Sequence, residues 1–371
     1  MSMTWEQLGG ILDRKTMVKR IPLIGEFELT ARCNLRCKMC YICRNTNEKE
    51  VIEKERSVTE WIRLAAEARD QGMLFLLLTG GEVFLRNDFK TLYEEISMMG
   101  FHITIFTNGT LITPAVADWL GSRMPSQMEV TLYGASPETY DRVCGDYSGF
   151  KRAMKGIELL KAQGINLQLR TTIVKENIGD YEYMEDIAKS FGSSLGIVNY
   201  ISPRREGNLT SPETERLSPV ELAEFENRVN ENSLVSGLAD QYTIEQFKES
   251  IPQGLLEKMG LKDAFPCSAG KNSFWVTWDG KMIPCSLMDK VHTNPFEQGF
   301  LRAWKDLKTQ CDRVPVCKSC SKCSLQDYCT SCPASLMNET GSFMKPSSYL
   351  CELAQERKNH DYERRLIQNG R

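Results

Sequence analysis

IGEFELTARCNLRCKMCYICR, residues 24–44, runs a short β-forming segment directly into four cysteines. IGEFELTA reads as a strand, so the thiols fall on the loop at its C-terminal end. Cys33, Cys37 and Cys40 have the spacing C-x3-C-x2-C. Three thiolates on one short loop can hold three irons of a four-iron cluster and leave the fourth iron open to a ligand. A structural zinc site is the alternative the spacing allows.

Strands and helices alternate outward from this point. Further strands are expected at 73–79, 102–107, 128–133, 165–174 and 194–201, with amphipathic helices at 58–69, 88–99, 114–122, 149–163 and 181–190. Thr59 and Asn87 read as helix starts, and Gly72, Gly100 and Gly164 sit where helix C-terminal caps belong. This alternation implies a parallel sheet with right-handed crossovers. Six repeats are too few for a closed eight-unit barrel, so the fold expected is α/β, a (β/α)6 partial barrel. Active sites of such barrels lie on the loops after the strands, where the thiols are. The stretch SPRREGNLTSPETERLSP then breaks the pattern, helices resume at 220–229 and 243–248, and nine cysteines lie between Cys267 and Cys351. The chain parses into an N-terminal extension (1–23), a barrel (24–205), a helical bridge (206–264), a cysteine-rich domain (265–355) and a tail (356–371).

Composition narrows the function. With 46 Lys and Arg against 49 Asp and Glu among 371 residues, no basic stripe suggests nucleic acid. No apolar run is long enough to span a membrane, and the N-terminus lacks a signal-peptide core, so a cytoplasmic location is expected. Fourteen cysteines in such a chain read as metal ligands rather than a disulfide framework. The three histidines are scattered, so sulfur would hold the metal.

CNLRCKMCY resembles the signature loop of the radical S-adenosylmethionine (SAM) enzymes, with Tyr41 as the aromatic that accompanies the third cysteine. The family fold is a (β/α)6 partial barrel. The resemblance implies that Cys33, Cys37 and Cys40 carry a 4Fe-4S cluster whose open iron binds SAM. Reductive cleavage of SAM would then release a 5′-deoxyadenosyl radical. TGGEVF after the second strand resembles the family's GGEP stretch, which implies that Gly80, Gly81 and Glu82 contact SAM, with Val83 replacing the usual proline. TNGT places Asn108 after the third strand, and by the same resemblance Ser136 and Arg170 would line the ribose and carboxylate. Cys43 and Cys144 have no place in the pattern and read as bystanders.

The second cysteine group has the spacing C-x12-G-x4-C, then C-x2-C-x5-C-x2-C and a distant cysteine. Paired C-x2-C motifs also suit zinc ribbons. The spacing resembles the SPASM domain, one residue short in its last interval, and that domain carries two auxiliary 4Fe-4S clusters. The resemblance implies that Cys320, Cys323, Cys329 and Cys351 hold the outer cluster, and Cys267, Cys285 and Cys332 the inner one. Cys317, or else Cys311, would supply the inner cluster's fourth ligand; without either, that cluster has an open iron.

Enzymes of this architecture mostly modify peptides. Ser286 stands where formylglycine-forming members carry an acid, which argues against that activity. About 23 residues precede the first strand, leaving no room there for a peptide-recognition domain. The expectation is a maturase that crosslinks a ribosomal precursor peptide, with a flavodoxin or ferredoxin as reductant and a separate peptide-recognition protein as a possible partner. The alternatives are a radical SAM dehydrogenase or rearrangement enzyme acting on a small metabolite, and a non-catalytic cluster or zinc carrier.

Overall fold

The computed structural model of the chain describes residues 5–42, 44–203, 212–235 and 264–368. The strands β1 (Ile24–Glu28), β2 (Phe75–Thr79), β3 (His102–Thr107), β4 (Gln127–Leu132), β5 (Leu167–Thr172) and β6 (Leu195–Val198) pair in chain order. Every pair is parallel. Between them run α2 (Lys49–Lys54), α3 (Val58–Asp70), α4 (Phe89–Ser97), α5 (Pro114–Ser122), α6 (Pro137–Cys144), α7 (Gly149–Ala162) and α8 (Tyr181–Ser190). This is an α/β, (β/α)6 partial barrel, as expected.

Local signals explain the boundaries. Ser57 caps α3 in a reciprocal capping box with Glu60, two residues before Thr59, the start read from sequence. Asp88, not Asn87, occupies the cap position of α4, without a side-chain cap bond. Gly72, Gly100 and Gly164 all have positive φ, as their capping positions require.

Alternation along β1 divides its side chains between two environments. Phe27 faces the helices, where its ring lies 5.0 Å from that of Trp61 on α3. Both side chains are fully buried, each worth about 1.5–3 kcal/mol of hydrophobic stabilisation. Glu26 and Glu28 alternate onto the opposite, interior face of the barrel.

The sheet does not stop at six strands. β7 (Ser273–Val276) pairs parallel with β1, and β8 (Met282–Ile283) pairs antiparallel with β7. Residues that the sequence reading grouped with the cysteine-rich segment therefore extend the barrel sheet beyond β1. The reason is packing: the Phe274 ring lies 6.4 Å from Phe27, 5.1 Å from Phe300 and 5.8 Å from Trp304. The extension read at residues 1–23 contains a helix, α1 (Trp5–Lys19). Asn272 holds it by donating to Asp13 Oδ1 at 2.8 Å and Thr16 Oγ1 at 2.9 Å.

The chain forms two compact bodies, one of residues 1–216 and 268–311, the other of 217–267 and 312–371. In the second, α9 (Pro219–Val235) packs on the helix Ser348–Gln368. Arg357 closes this pair with a two-pronged contact to Glu226 at 2.7 Å on each prong. The helix expected at 220–229 falls within α9, and that expected at 243–248 lies outside the described residues. No helix among the described residues is long and apolar enough to cross a membrane.

Candidate active site

The loop after β1 is tied down from both sides. Cys33 N–H donates to Arg44 O at 3.1 Å, Arg36 N–H to Cys144 O at 2.9 Å and Lys38 N–H to Val143 O at 3.1 Å. Cys33 and Cys37 are buried at 8% and 7% exposure, and Cys40 packs beside them among Leu35, Met39, Tyr140, Val143 and Val174. Cys144, read from sequence as incidental, ends α6 inside this same apolar pocket. Tyr133, at the end of β4, marks how closely the thiols gather: burial above all, then Cys37, Cys144, Cys33 and Cys40, push its hydroxyl well above the usual tyrosine range. Cys43 lies outside the described residues.

Among the described residues no three His, Cys, Asp or Glu side chains already close on a single point as one bound ion requires. The three thiols nonetheless share one largely apolar pocket, with Cys33 and Cys37 buried and Cys40 partly exposed. That is the donor set and the dry surrounding a sulfur-ligated cluster uses. Tyr41 follows Cys40 at the half-buried rim.

The loop after β2 is zipped to the cysteine loop. Gly81 N–H donates to Thr30 O at 2.8 Å and Glu82 N–H to Arg32 O at 2.9 Å. Neither glycine tolerates a side chain: a Cβ at Gly80, whose φ is +147°, would strike Thr30 O, and one at Gly81 would strike Arg32 O.

Glu82 points inward, not to the rim. It is 1% exposed. One carboxylate oxygen accepts from Phe84 N–H at 3.2 Å and the Thr107 hydroxyl at 2.8 Å, the other from Asn108 N–H at 2.8 Å. Burial raises its pKa to about 7, against the pull of those three donors. Its carboxylate thus clamps the β2 loop to the β3 loop. Asn108 in turn lies against Cys33 and Asn34.

The remaining candidates are placed differently. Ser136 accepts from Thr139 N–H at 3.2 Å as the N-cap of α6, a sufficient structural reason for a serine there. Arg170 lies on the interior face, 2.8 Å from Glu129 and stacked over Phe106 at 5.1 Å. Glu26 faces the same space. Burial first and then Glu28 raise its pKa to about 7, with Arg170 pulling the other way. A carboxyl group that titrates near neutrality inside a barrel is equipped to accept a proton. The alternation in GEFELT was the signal for this lining, which the sequence reading passed over because a polar strand face ordinarily means solvent.

In the second body, Cys317, Cys320, Cys323, Cys329 and Cys351 form one neighbourhood. Burial, a hydrogen bond with Cys317 and the charges of Cys351 and Cys329 raise the Cys320 thiol. Burial with Cys329, Cys323 and Cys317 raises that of Cys351. Cys317, expected with the inner set, thus stands beside Cys320, and its thiol donates to Met344 O at 3.2 Å. Cys332 caps the helix Pro333–Thr340, its sulfur accepting from Ser335 N–H at 3.5 Å, and Cys267 is exposed. Cys285 and Cys311 belong to the first body, where Cys311 is buried against Gly270.

Comparison with known proteins agrees with this geometry. Residues 27–188 match the model of the Radical SAM superfamily. An AdoMet-dependent heme synthase of Methanosarcina barkeri is 25% identical over 341 residues, covering 88% of this chain and 96% of that protein. The subtilosin biosynthesis protein AlbA of Bacillus subtilis is 24% identical over 341 residues, covering 88% and 72%. The crystal structure of Streptococcus suis SuiB bound to S-adenosylmethionine superimposes with a TM-score of 0.69 at 17% identity, covering 93% of this chain and 82% of that one. SuiB bound to the precursor peptide SuiA gives the same score, covering 94% and 82%. The cysteine loop, the GGE turn and most of the partial barrel that presents them lie within residues 27–188, the segment that matches the Radical SAM superfamily.

Proposed function

We propose that this protein is a maturase that oxidatively modifies a ribosomally made peptide, forming a thioether or carbon–carbon crosslink. When bound at Cys33, Cys37 and Cys40, the 4Fe-4S cluster and SAM supply a 5′-deoxyadenosyl radical that abstracts hydrogen from substrate. The apolar shell of Tyr140, Val143 and Val174 excludes water from the thiols. Gly80 and Gly81 hold the β2 loop against the cysteine loop, and Arg170 offers a guanidinium to a carboxylate. Cys320, Cys323, Cys329 and Cys351 hold one auxiliary cluster. A flavodoxin or ferredoxin supplies electrons, and a separate protein presents the peptide.

The observation that carries the peptide reading is the acidic interior face. Glu26, Glu28 and Glu129 line it, with Arg170 among them. Such a lining suits amide N–H groups or a cationic side chain and repels polyanions. A second reading follows from the heme synthase, which aligns along nearly its whole length: the substrate would be an iron tetrapyrrole.

Anaerobic incubation with SAM, dithionite and short peptides encoded beside the gene tests the choice. The expected result is 5′-deoxyadenosine together with a peptide lighter by two hydrogens. Turnover of an iron tetrapyrrole with the peptide untouched would select the second reading. Absence of 5′-deoxyadenosine with every substrate would leave a cluster or zinc carrier. Replacing Cys33, Cys37 and Cys40 by Ala is expected to abolish 5′-deoxyadenosine formation and remove about four irons per chain.

A further inference from the structure

We infer that Asn108 tunes the cluster held by Cys33, Cys37 and Cys40 through an N–H···S hydrogen bond to the Cys33 sulfur; this rests on the reading that those thiols hold a cluster. The Asn108 side-chain amide lies 3.8 Å from Cys33 Sγ, in a site only 4% exposed. Its orientation follows from its neighbours. Thr110 N–H, which can only donate, points at Asn108 Oδ1 at 2.9 Å, and the Thr110 hydroxyl donates to the same oxygen at 2.6 Å. The amide nitrogen must therefore face the other way, where it donates to Asn34 Oδ1 at 3.0 Å and to the sulfur. Asn34 completes the ring by donating to the Thr110 hydroxyl at 2.8 Å. Glu82 fixes the backbone of Asn108 from behind at 2.8 Å. With both amide protons and both lone pairs engaged, Asn108 has no free donor for SAM, the role its motif suggests.

The consequence is electrostatic. Adding an electron to a cluster increases the negative charge on its sulfurs, so a donor aimed at one of them stabilises the reduced state more than the oxidised state. Asn108 therefore makes the cluster easier to reduce. It is a positioning and tuning residue, not a catalytic one.

The test is a redox titration of the reconstituted full-length protein, following the electron-spin signal that added SAM perturbs and so distinguishing this cluster from any others. Asn108→Asp keeps the shape but replaces the donor, Asn108→Ala removes it, and Thr110→Ala disturbs the ring while leaving the N–H···S contact. At a potential that half-reduces the wild-type cluster, both Asn108 variants are expected to lower the ratio of reduced to oxidised cluster by about threefold or more, with iron content retained. Thr110→Ala is expected to match wild type. An unmoved ratio in the two Asn108 variants overturns the inference, as does an equal shift in Thr110→Ala, which would mean loop damage. A weakened SAM affinity without a shift in the ratio would restore Asn108 as a SAM contact. Wild-type protein without a SAM-perturbed signal would instead defeat the underlying reading of the thiols.

Discussion

Glu82 holds two loops together through a carboxylate whose two oxygens each receive a backbone N–H, from Phe84 and from Asn108. Glu82→Gln is consequently poorly tolerated: whichever way the amide turns, its NH2 faces a buried donor. Loss of about 1–3 kcal/mol of stability is expected, measured by denaturant unfolding. Glu26 makes the opposite kind of prediction. Its folded pKa of about 7 exceeds the ordinary carboxylate value of 4.5, so the folded state binds the proton more tightly. Its contribution to stability is full below the unfolded pKa and is lost as pH rises through about 7. Thermal melts between those limits should show stability falling with pH, by up to roughly 3 kcal/mol for this group. Glu26→Gln should flatten that part of the slope; an unchanged slope would assign the titration elsewhere.

At the scale of elements, the β2 turn and the cysteine loop behave as one unit, because Gly81 and Glu82 donate to the carbonyls of Thr30 and Arg32. Gly81→Ala must push backbone against backbone, since the added Cβ meets Arg32 O and Ala31 O rather than a yielding side-chain tip. The expected result is a lower melting temperature together with weaker SAM binding, checked by calorimetry on the same preparation. A variant that melts earlier but binds SAM normally would separate the turn's structural role from its ligand role. The strand–helix repeat was legible in the sequence because each unit declares itself over a few residues: apolar alternation and a closing glycine such as Gly72. β7 and β8 were not, because SFWV and MI are too short to stand out and owe their place to Phe274 packing on Phe27 and Phe300.

For the whole molecule, the metal content decides between the architectures that the cysteines allow. Three four-iron clusters require about twelve irons per chain after anaerobic reconstitution, and that is the expected value. About four irons with one or two zincs would keep the radical chemistry but make the second cysteine group a structural clip. Replacing Cys320, Cys323, Cys329 and Cys351 together by Ala is expected to remove about four irons while leaving the SAM-perturbed cluster signal in place.

Local spacing and periodicity, which need no fold to be read, determined the partial barrel and the three-thiol loop, and the loop's resemblance to a known signature implied the SAM-type chemistry. Tertiary structure decided what the individual polar residues do. Glu82 and Asn108 are 26 residues apart in the chain, and Asn108 and Cys33 are 75 apart. No periodicity announces that they meet, that Ser136 spends its hydroxyl on capping α6, or that Cys144 enters the thiol pocket. Such roles arise only where loops from successive strands converge at one end of the sheet, because there a buried polar group must take whichever partner the fold brings within reach.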